Sequence, residues 1–582
     1  MISVDRLKPA LRNYVQADVV RQVSDNIEAS VQPETGSVSQ AVEANVHTGA
    51  GTSPIAKSGV NSLPRAASPL QSIRPPDVLC GLRSSLVKDK VMKNRITCGA
   101  MFVAFAAILG GQQPATTRAT TGATTEPDPK EIPLPPAATS MPAMPGVDKL
   151  PNRPEMPDVL TMNNGQKVTT AAQWKRRREE MKRILEYYAV GQAPPAPRNL
   201  KGKEINSETV LEGAVKYRLV HLTFGPAEKL GLDIGIFTPV SGGPFPAIIL
   251  QSGTPPGGTA LPRLAPGPNQ GRGQDVLLLV GPAAPAAAPT AGAPSSPATA
   301  APARGGRSGT PPTAQSIATQ YANVFRRGYA LVTFNPNDCA EDTTLRNPDG
   351  SWAFRNTRFY PAYPGYDWGI LAGWAWGASR VADYIEKDPA IDKTKLIITG
   401  ASRNGKSAMV AAAFDERLMG APVVTGGGGI GAYRFAGQRG SESLDIMQKK
   451  YPNWFSQNLH QFWGQREKLP FDEHWFLALA APRHFIALEG DTDVISLPEA
   501  VHQSMLAAEP AYDLLGAKDR MGVNYAKHGH AFTQDDWTAM MDFFDKNLLG
   551  RKIERTFDRF PTEQELDAVC GPAPARPCKS RR

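Results

Sequence analysis

The chain has 582 residues, 41% hydrophobic and 20% charged, which is enough apolar material for a large core and excludes a wholly disordered polymer. Its net charge of +9 is scattered or terminal, as at Lys579, Arg581 and Arg582, with no basic stripe interleaved with aromatics, so nucleic acid is not an expected partner. Five cysteines (Cys80, Cys98, Cys339, Cys570, Cys578) lack metal-ligand spacing, and Cys570 and Cys578 stand either as a small disulfide loop or as two free thiols.

Residues 1–91 are polar and carry little apolar periodicity. Met92-Lys-Asn-Arg95 is a basic start, Ile96 to Leu109 is an apolar run, and small residues follow from Gly110. That three-part form reads as a secretory signal over 92–113, and the run is too short for a stable membrane span. The expectation is translation from Met92, a secreted or periplasmic product, and residues 1–91 as a mis-called extension. Mass spectrometry of the native protein tests this, and peptides from 1–91 would sink it. Residues 114–150 are rich in Pro, Ala and Thr and read as a linker. Folded sequence is expected over 151–550, with a tail over 551–582.

Within that body, Trp174 to Tyr188 has helical composition with a narrow apolar face. Val215 to Phe224 and Leu232 to Phe237 alternate like strands, and Ala247-Ile-Ile-Leu250 reads as a fully buried strand. A Gly/Pro/Ala-rich insertion over 253–315 cannot bury a core and is expected as a disordered loop inside the domain. Strand signals resume at Tyr329 to Phe334, and Trp368 to Lys387 reads as a long helix. Leu396-Ile-Ile398 is a short apolar strand, Arg483 to Glu489 and Val523 to Lys527 are further strands, and Asp535 to Leu549 is a closing amphipathic helix. Strands alternating with helices define an α/β class: a mainly parallel sheet with helices on both faces, binding ligands at the carboxyl ends of its strands.

The chemistry-bearing stretch is Gly400-Ala-Ser402-Arg-Asn-Gly405-Lys406, between an apolar strand and a good helix former. A serine on such an elbow is lifted to the sheet's top edge, beside a helix N-terminus that favours developing negative charge. The usual pattern is G-x-S-x-G; here Asn404 holds the second glycine's place and the glycine comes one residue later. A serine hydroxyl needs a base in hydrogen-bond reach and an acid to hold that base's tautomer. Alpha/beta-hydrolases supply these in the order Ser, acid, His. His528 and His530 stand in the position of the base, and His530 is preferred. Glu489-Gly-Asp491-Thr-Asp493 offers three carboxylates for the acid; the spacing to Pro498 points to Asp493, with Glu489 and Asp491 as runners-up.

With these residues in view, Gly400-x-Ser402-Arg403-x-Gly405-Lys406 resembles the nucleophile motif of glucuronoyl esterases, carbohydrate esterase family 15, whose own form has the late glycine. The resemblance extends to Trp374-Ala-Trp-Gly377, Phe414-Asp-Glu-Arg417, Tyr451-Pro-Asn-Trp-Phe455, Leu469-Pro-Phe-Asp-Glu-His474, Ala480-Ala-Pro-Arg483 and Asp536-Trp537, and covers residues 180–550 apart from the insertion. It implies the three-layer alpha/beta-hydrolase sandwich, Ser402 as nucleophile and His530 as base. It also implies that Arg403 steadies the oxyanion, and that Lys406 and Glu442 bind the uronate sugar. The chain departs from the family's pattern in three places. No carboxylate occupies Val423 to Gly429, where many members carry the acid, which favours Asp493. Ile495 stands where a substrate-contacting Trp is frequent, and Ala401 replaces the usual Cys or His.

The resemblance implies a secreted carboxylic ester hydrolase without metal or organic cofactor. It would act as a monomer on the ester between 4-O-methyl-glucuronate of plant cell-wall xylan and a lignin-type alcohol. Two rival expectations stand beside it: an esterase for another carbohydrate ester, such as an acetyl ester, and a non-catalytic carbohydrate-binding protein on the same fold.

Overall fold

The computed structural model describes residues 143–264, 311–437, 441–493 and 495–560, with 562 and 564. The expected extension, signal segment and most of the linker lie outside these residues, as do 265–310 of the insertion and most of the tail.

Helix α1 (Ala171–Leu185) opens at a capping box, Thr170 with Gln173, and runs into a π-helical turn over Glu186–Val190. Strands β1 (Lys201–Val210), β2 (Val215–Phe224) and β3 (Leu230–Pro239) form an antiparallel meander. β4 (Phe245–Gln251), helices α2 (Ala314–Gln320) and α3 (Ala322–Arg326), and β5 (Ala330–Phe334) follow. Helix α4 (Ile370–Ile385) leads to β6 (Ile391–Ala401), and the elbow opens α5 (Arg403–Phe414). The remainder is β7 (Leu418–Val423), α6 (Leu444–Lys450), α7 (His474–Ala480), β8 (Phe485–Gly490), α8 (Pro498–Leu514), β9 (Met521–Ala526) and α9 (Gln534–Leu549).

The nine strands make one sheet in the order β1-β2-β3-β5-β4-β6-β7-β8-β9. All pairings from β5 to β9 are parallel, while β1–β3 and the β3–β5 junction are antiparallel. Ala247 and Ile249, with Leu396 and Ile398, face the layer of α1, α4, α5, α7 and α8. Ile248 and Ile397 face the opposite layer of α2, α3 and α9. These side chains alternate between two cores, so the strands read as unbroken apolar runs instead of a polar–apolar pattern. Ile398 is fully buried, and Ile398→Ala would remove about 2–5 kcal/mol of stability. Central β6 therefore delivers the elbow to the sheet's carboxyl edge from the best-covered part of the fold. Among the described residues, no helix is long and apolar enough to cross a membrane.

Three boundaries differ from the sequence reading. The body starts before 151: Val147 N–H donates to Gln461 at 2.8 Å and the Tyr188 hydroxyl to Pro145 O at 2.6 Å. Both edges of the insertion belong to the fold, since Tyr217 donates to Pro256 O at 2.6 Å and α2 starts at Thr313 with its own capping box. Beyond 550, Arg551 pairs with Asp545 at 2.9 Å and buried Phe557 accepts from Val523 N–H at 2.7 Å. Each of these stretches has polar or proline-rich composition, and only its long-range partners order it.

Candidate active site

The turn from β6 to α5 places Ser402 at φ 56° and ψ −122°, a backbone state that non-glycine residues adopt only where their surroundings enforce it. Two clamps enforce it. Ser402 N–H donates to Val423 O at 2.9 Å on neighbouring β7. Gln251, at the end of β4, and Asn404 each donate a side-chain amide N–H to the other's backbone carbonyl, and the Gln251 side chain accepts from the Ser407 hydroxyl at 2.9 Å. The late glycine has a steric cause. A Cβ on Gly405 would lie 2.8 Å from Val423 O and 2.9 Å from Gly400 O, so the close approach of helix to strand falls at 405, and 404 accepts asparagine.

His530 Nε2 lies 2.8 Å from Ser402 Oγ, and His530 Nδ1 lies 2.9 Å from Asp493 Oδ2. Asp493 is buried, and its other oxygen accepts from Ile495 N–H at 3.0 Å, which fixes the carboxylate's orientation. The runners-up sit elsewhere. Glu489 is part of β8 and points into the core, where burial foremost, and then the Asp493 charge, push its carboxyl up to about 8. Asp491 begins the following turn, its N–H bound to Ala526 O at 2.9 Å. His528 turns away from Ser402, with Nδ1 2.8 Å from Gly529 O and Nε2 3.1 Å from Asp536 Oδ1. Burial opposes its charge, but the Asp536 hydrogen bond and charge outweigh that and push it up to about 9.

The two cations of the motif each hold a carboxylate. Buried Lys406 lies 2.9 Å from Glu442 Oε2 and also donates to Thr425 O. Arg403 Nη1 meets Asp342 Oδ2 at 2.5 Å, and its guanidinium stands 5.3 Å over the Trp454 ring. Asp342 accepts through its other oxygen from Trp454 Nε1 at 2.8 Å, and Trp454 stacks on Tyr451 at 4.0 Å. Sequence reasoning assigned Asp342 nothing. It lies 61 residues from Arg403, on the loop after β5, and no local pattern marks it.

The glycine run after β7 explains the missing early carboxylate. A Cβ on Gly427 would meet Glu442 O at 1.8 Å, and one on Gly426 would lie 2.5 Å from Glu442 Oε2 and 3.3 Å from Lys406 Nζ. The run leaves the space that the Lys406–Glu442 pair fills. Among the described residues, no cluster of three or more His, Cys, Asp or Glu could hold a metal ion.

A mainly parallel sheet between helical layers, with a strained serine elbow at its carboxyl edge facing a His–Asp pair, defines an alpha/beta-hydrolase. A family model described as "Glucuronyl esterase, fungi" matches residues 297–516. The 4-O-methyl-glucuronoyl methylesterase of Hypocrea jecorina is 29% identical over 422 residues, covering 70% of this chain and 73% of that protein. Its counterpart in Podospora anserina is 27% identical over 440 residues, covering 72% and 74%. A solved carbohydrate esterase family 15 glucuronoyl esterase from Caldicellulosiruptor kristjansonii superposes with a TM-score of 0.51 at 25% identity, covering 73% of this chain and 99% of that one. The chain is thus similar, in sequence and in fold, to the glucuronoyl esterases of carbohydrate esterase family 15, which are carboxylic ester hydrolases.

Proposed function

We propose that this chain is a serine esterase that cleaves esters of 4-O-methyl-glucuronate with lignin-type alcohols through an acyl-enzyme. The observation that carries the reading is the aligned Ser402–His530–Asp493 contact, 2.8 and 2.9 Å along its two links. His530 Nε2 takes the hydroxyl proton as Ser402 Oγ bonds to the uronate carbonyl carbon, and the imidazolium is steadied by buried Asp493. Collapse of the tetrahedral intermediate expels the alcohol, which receives that proton. Water, deprotonated by His530, then attacks the acyl carbon, the Ser402 Oγ–acyl bond breaks as Oγ takes that proton back, and the uronate acid leaves.

The first N–H groups of α5 have no partner within the helix, and together with the Arg403 guanidinium they face the developing oxyanion. Lys406 and Glu442, locked to each other, present a donor and an acceptor to sugar hydroxyls. The printed names of the similar proteins, 4-O-methyl-glucuronoyl methylesterases, support the uronate ester as substrate. The basic, apolar and small-residue order of 92–113 supports export.

Ser402→Ala should lower kcat on benzyl glucuronate by at least about 10³-fold while leaving the melting curve unchanged, and a fluorophosphonate probe should label only the wild type. Retained turnover in that variant overturns the assignment. One observation favours a second reading, an acetyl esterase: Ile495 offers an aliphatic surface where the family often has an aromatic ring. Faster cleavage of acetylated xylan fragments than of benzyl glucuronate would select it.

A further inference from the structure

Arg403 and Lys406 both meet carboxylates across the site, Asp342 at 2.5 Å and Glu442 at 2.9 Å. The Arg403 pair is set deep, with side-chain exposures of 27% for Arg403 and 7% for Asp342. Asp342 is also tied to Trp454 at 2.8 Å, so its charge is fixed beside the guanidinium. The acids around it have other partners. Glu341 lies 3.4 Å from Arg358, and Asp338 lies in the field of Arg358 and Arg263. Glu473, in the field of Lys406, is held far toward its neutral form, by burial foremost and then by Asp472.

An oxyanion-binding arginine beside a lysine would ordinarily hold a carboxylate strongly, through charge-assisted bonds. The acid released by a uronate esterase is such a carboxylate. We propose that Asp342 makes this site selective for the esterified over the free uronate, cancelling the Arg403 charge so that the anionic product leaves. The inference rests on the uronate-ester reading above and deepens it.

The charge balance along the reaction supports it. The ester is neutral. In the tetrahedral intermediate the negative oxygen forms together with the His530 imidazolium, so the site's net charge does not change. The free acid adds a full negative charge to a site that already holds Asp342, Glu442 and Asp493, with no imidazolium to offset it. Paired cations therefore penalise the product without penalising the transition state, a discrimination built from a repulsive element.

The test compares D-glucuronate with its neutral analogue D-glucuronamide as inhibitors of 4-nitrophenyl acetate hydrolysis, which reads Ser402 chemistry whatever the sugar preference. In the wild type the amide should bind more tightly than the acid. Asp342→Asn, or Asp342→Ser where Asn impairs folding, should tighten glucuronate roughly tenfold and leave glucuronamide within about twofold. Loss of a merely structural contact would weaken both inhibitors, which overturns the proposal. So does a wild type that binds the acid as tightly as the amide, a comparison that needs no variant. Wild-type inactivity on benzyl glucuronate would instead overturn the uronate-ester reading itself. Activity there, with an unfavourable inhibitor order, overturns only the role of Asp342.

Discussion

His528 and His530 leave β9 two residues apart, and each meets an aspartate, at 3.1 Å for Asp536 and 2.9 Å for Asp493. The His528 partner is the capping-box residue of α9, whose carboxylate also accepts from Thr533 N–H at 2.7 Å. That histidine's other nitrogen is occupied by a backbone carbonyl, so its ring has no free position and is held charged. His530 has its second nitrogen on Ser402 and keeps 22% of its side chain exposed. Only His530 has a second nitrogen on a hydroxyl, the position that the proposed base requires; His528, with both nitrogens occupied, braces a loop against a helix.

Breaking the His530–Asp493 pair should have the largest effect on activity. Asp493→Asn is expected to lower kcat by on the order of 10⁴ with KM nearly unchanged, because the amide favours the wrong imidazole tautomer. Steady-state kinetics on benzyl glucuronate check it, and a loss below tenfold would mean that another carboxylate serves.

His528→Asn should change kcat less than about threefold and act on stability instead. A histidine raised to about 9 when folded, against about 6.5 unfolded, stabilises the native state fully below pH 6.5 and loses that contribution as pH rises through 9. Urea unfolding of the variant should show a deficit of about 1–2 kcal/mol at pH 6 that narrows as pH rises through 9.

Glu489→Gln should affect turnover least. The buried carboxyl holds its proton up to about pH 8, whereas the unfolded chain releases it near 4.5. Its contribution to stability therefore falls as pH rises between those values and is level above 8. Glutamine cannot titrate, so that part of the slope should vanish from pH-dependent melting curves while kcat stays within about twofold.

Much of the sheet is legible in the chain. β2 spans the expected 215–224, and β4, β5, β8 and β9 fall within two residues of their expected ends, because strands buried on both faces are apolar without interruption, whereas β6 (Ile391–Ala401) runs well beyond its expected apolar core at 396–398. β1 is not legible. Its ten residues, Lys201 to Val210, are exposed except the last, and only backbone pairing with β2 makes them a strand. β7 is hidden by Gly420 and Pro422, residues that normally argue against a central strand. α8 is masked in the same way by Pro510 within it.

By itself the sequence determined the α/β class, the serine elbow and the short set of histidines and carboxylates from which a site had to be drawn, since these follow from period, turn chemistry and residue type. The sequence preferred His530 and Asp493 without a contact to rest on, and only the tertiary structure brings His530 to both Ser402 and Asp493 while Glu489, Asp491 and His528 point elsewhere. A hydrogen bond is directional and closes within about 3 Å, and side chains two or four places apart on one loop point to different neighbours. The same limit hid Asp342 and the glycine space around Glu442. Both are contacts between loops from different strands, and no spacing along the chain encodes them.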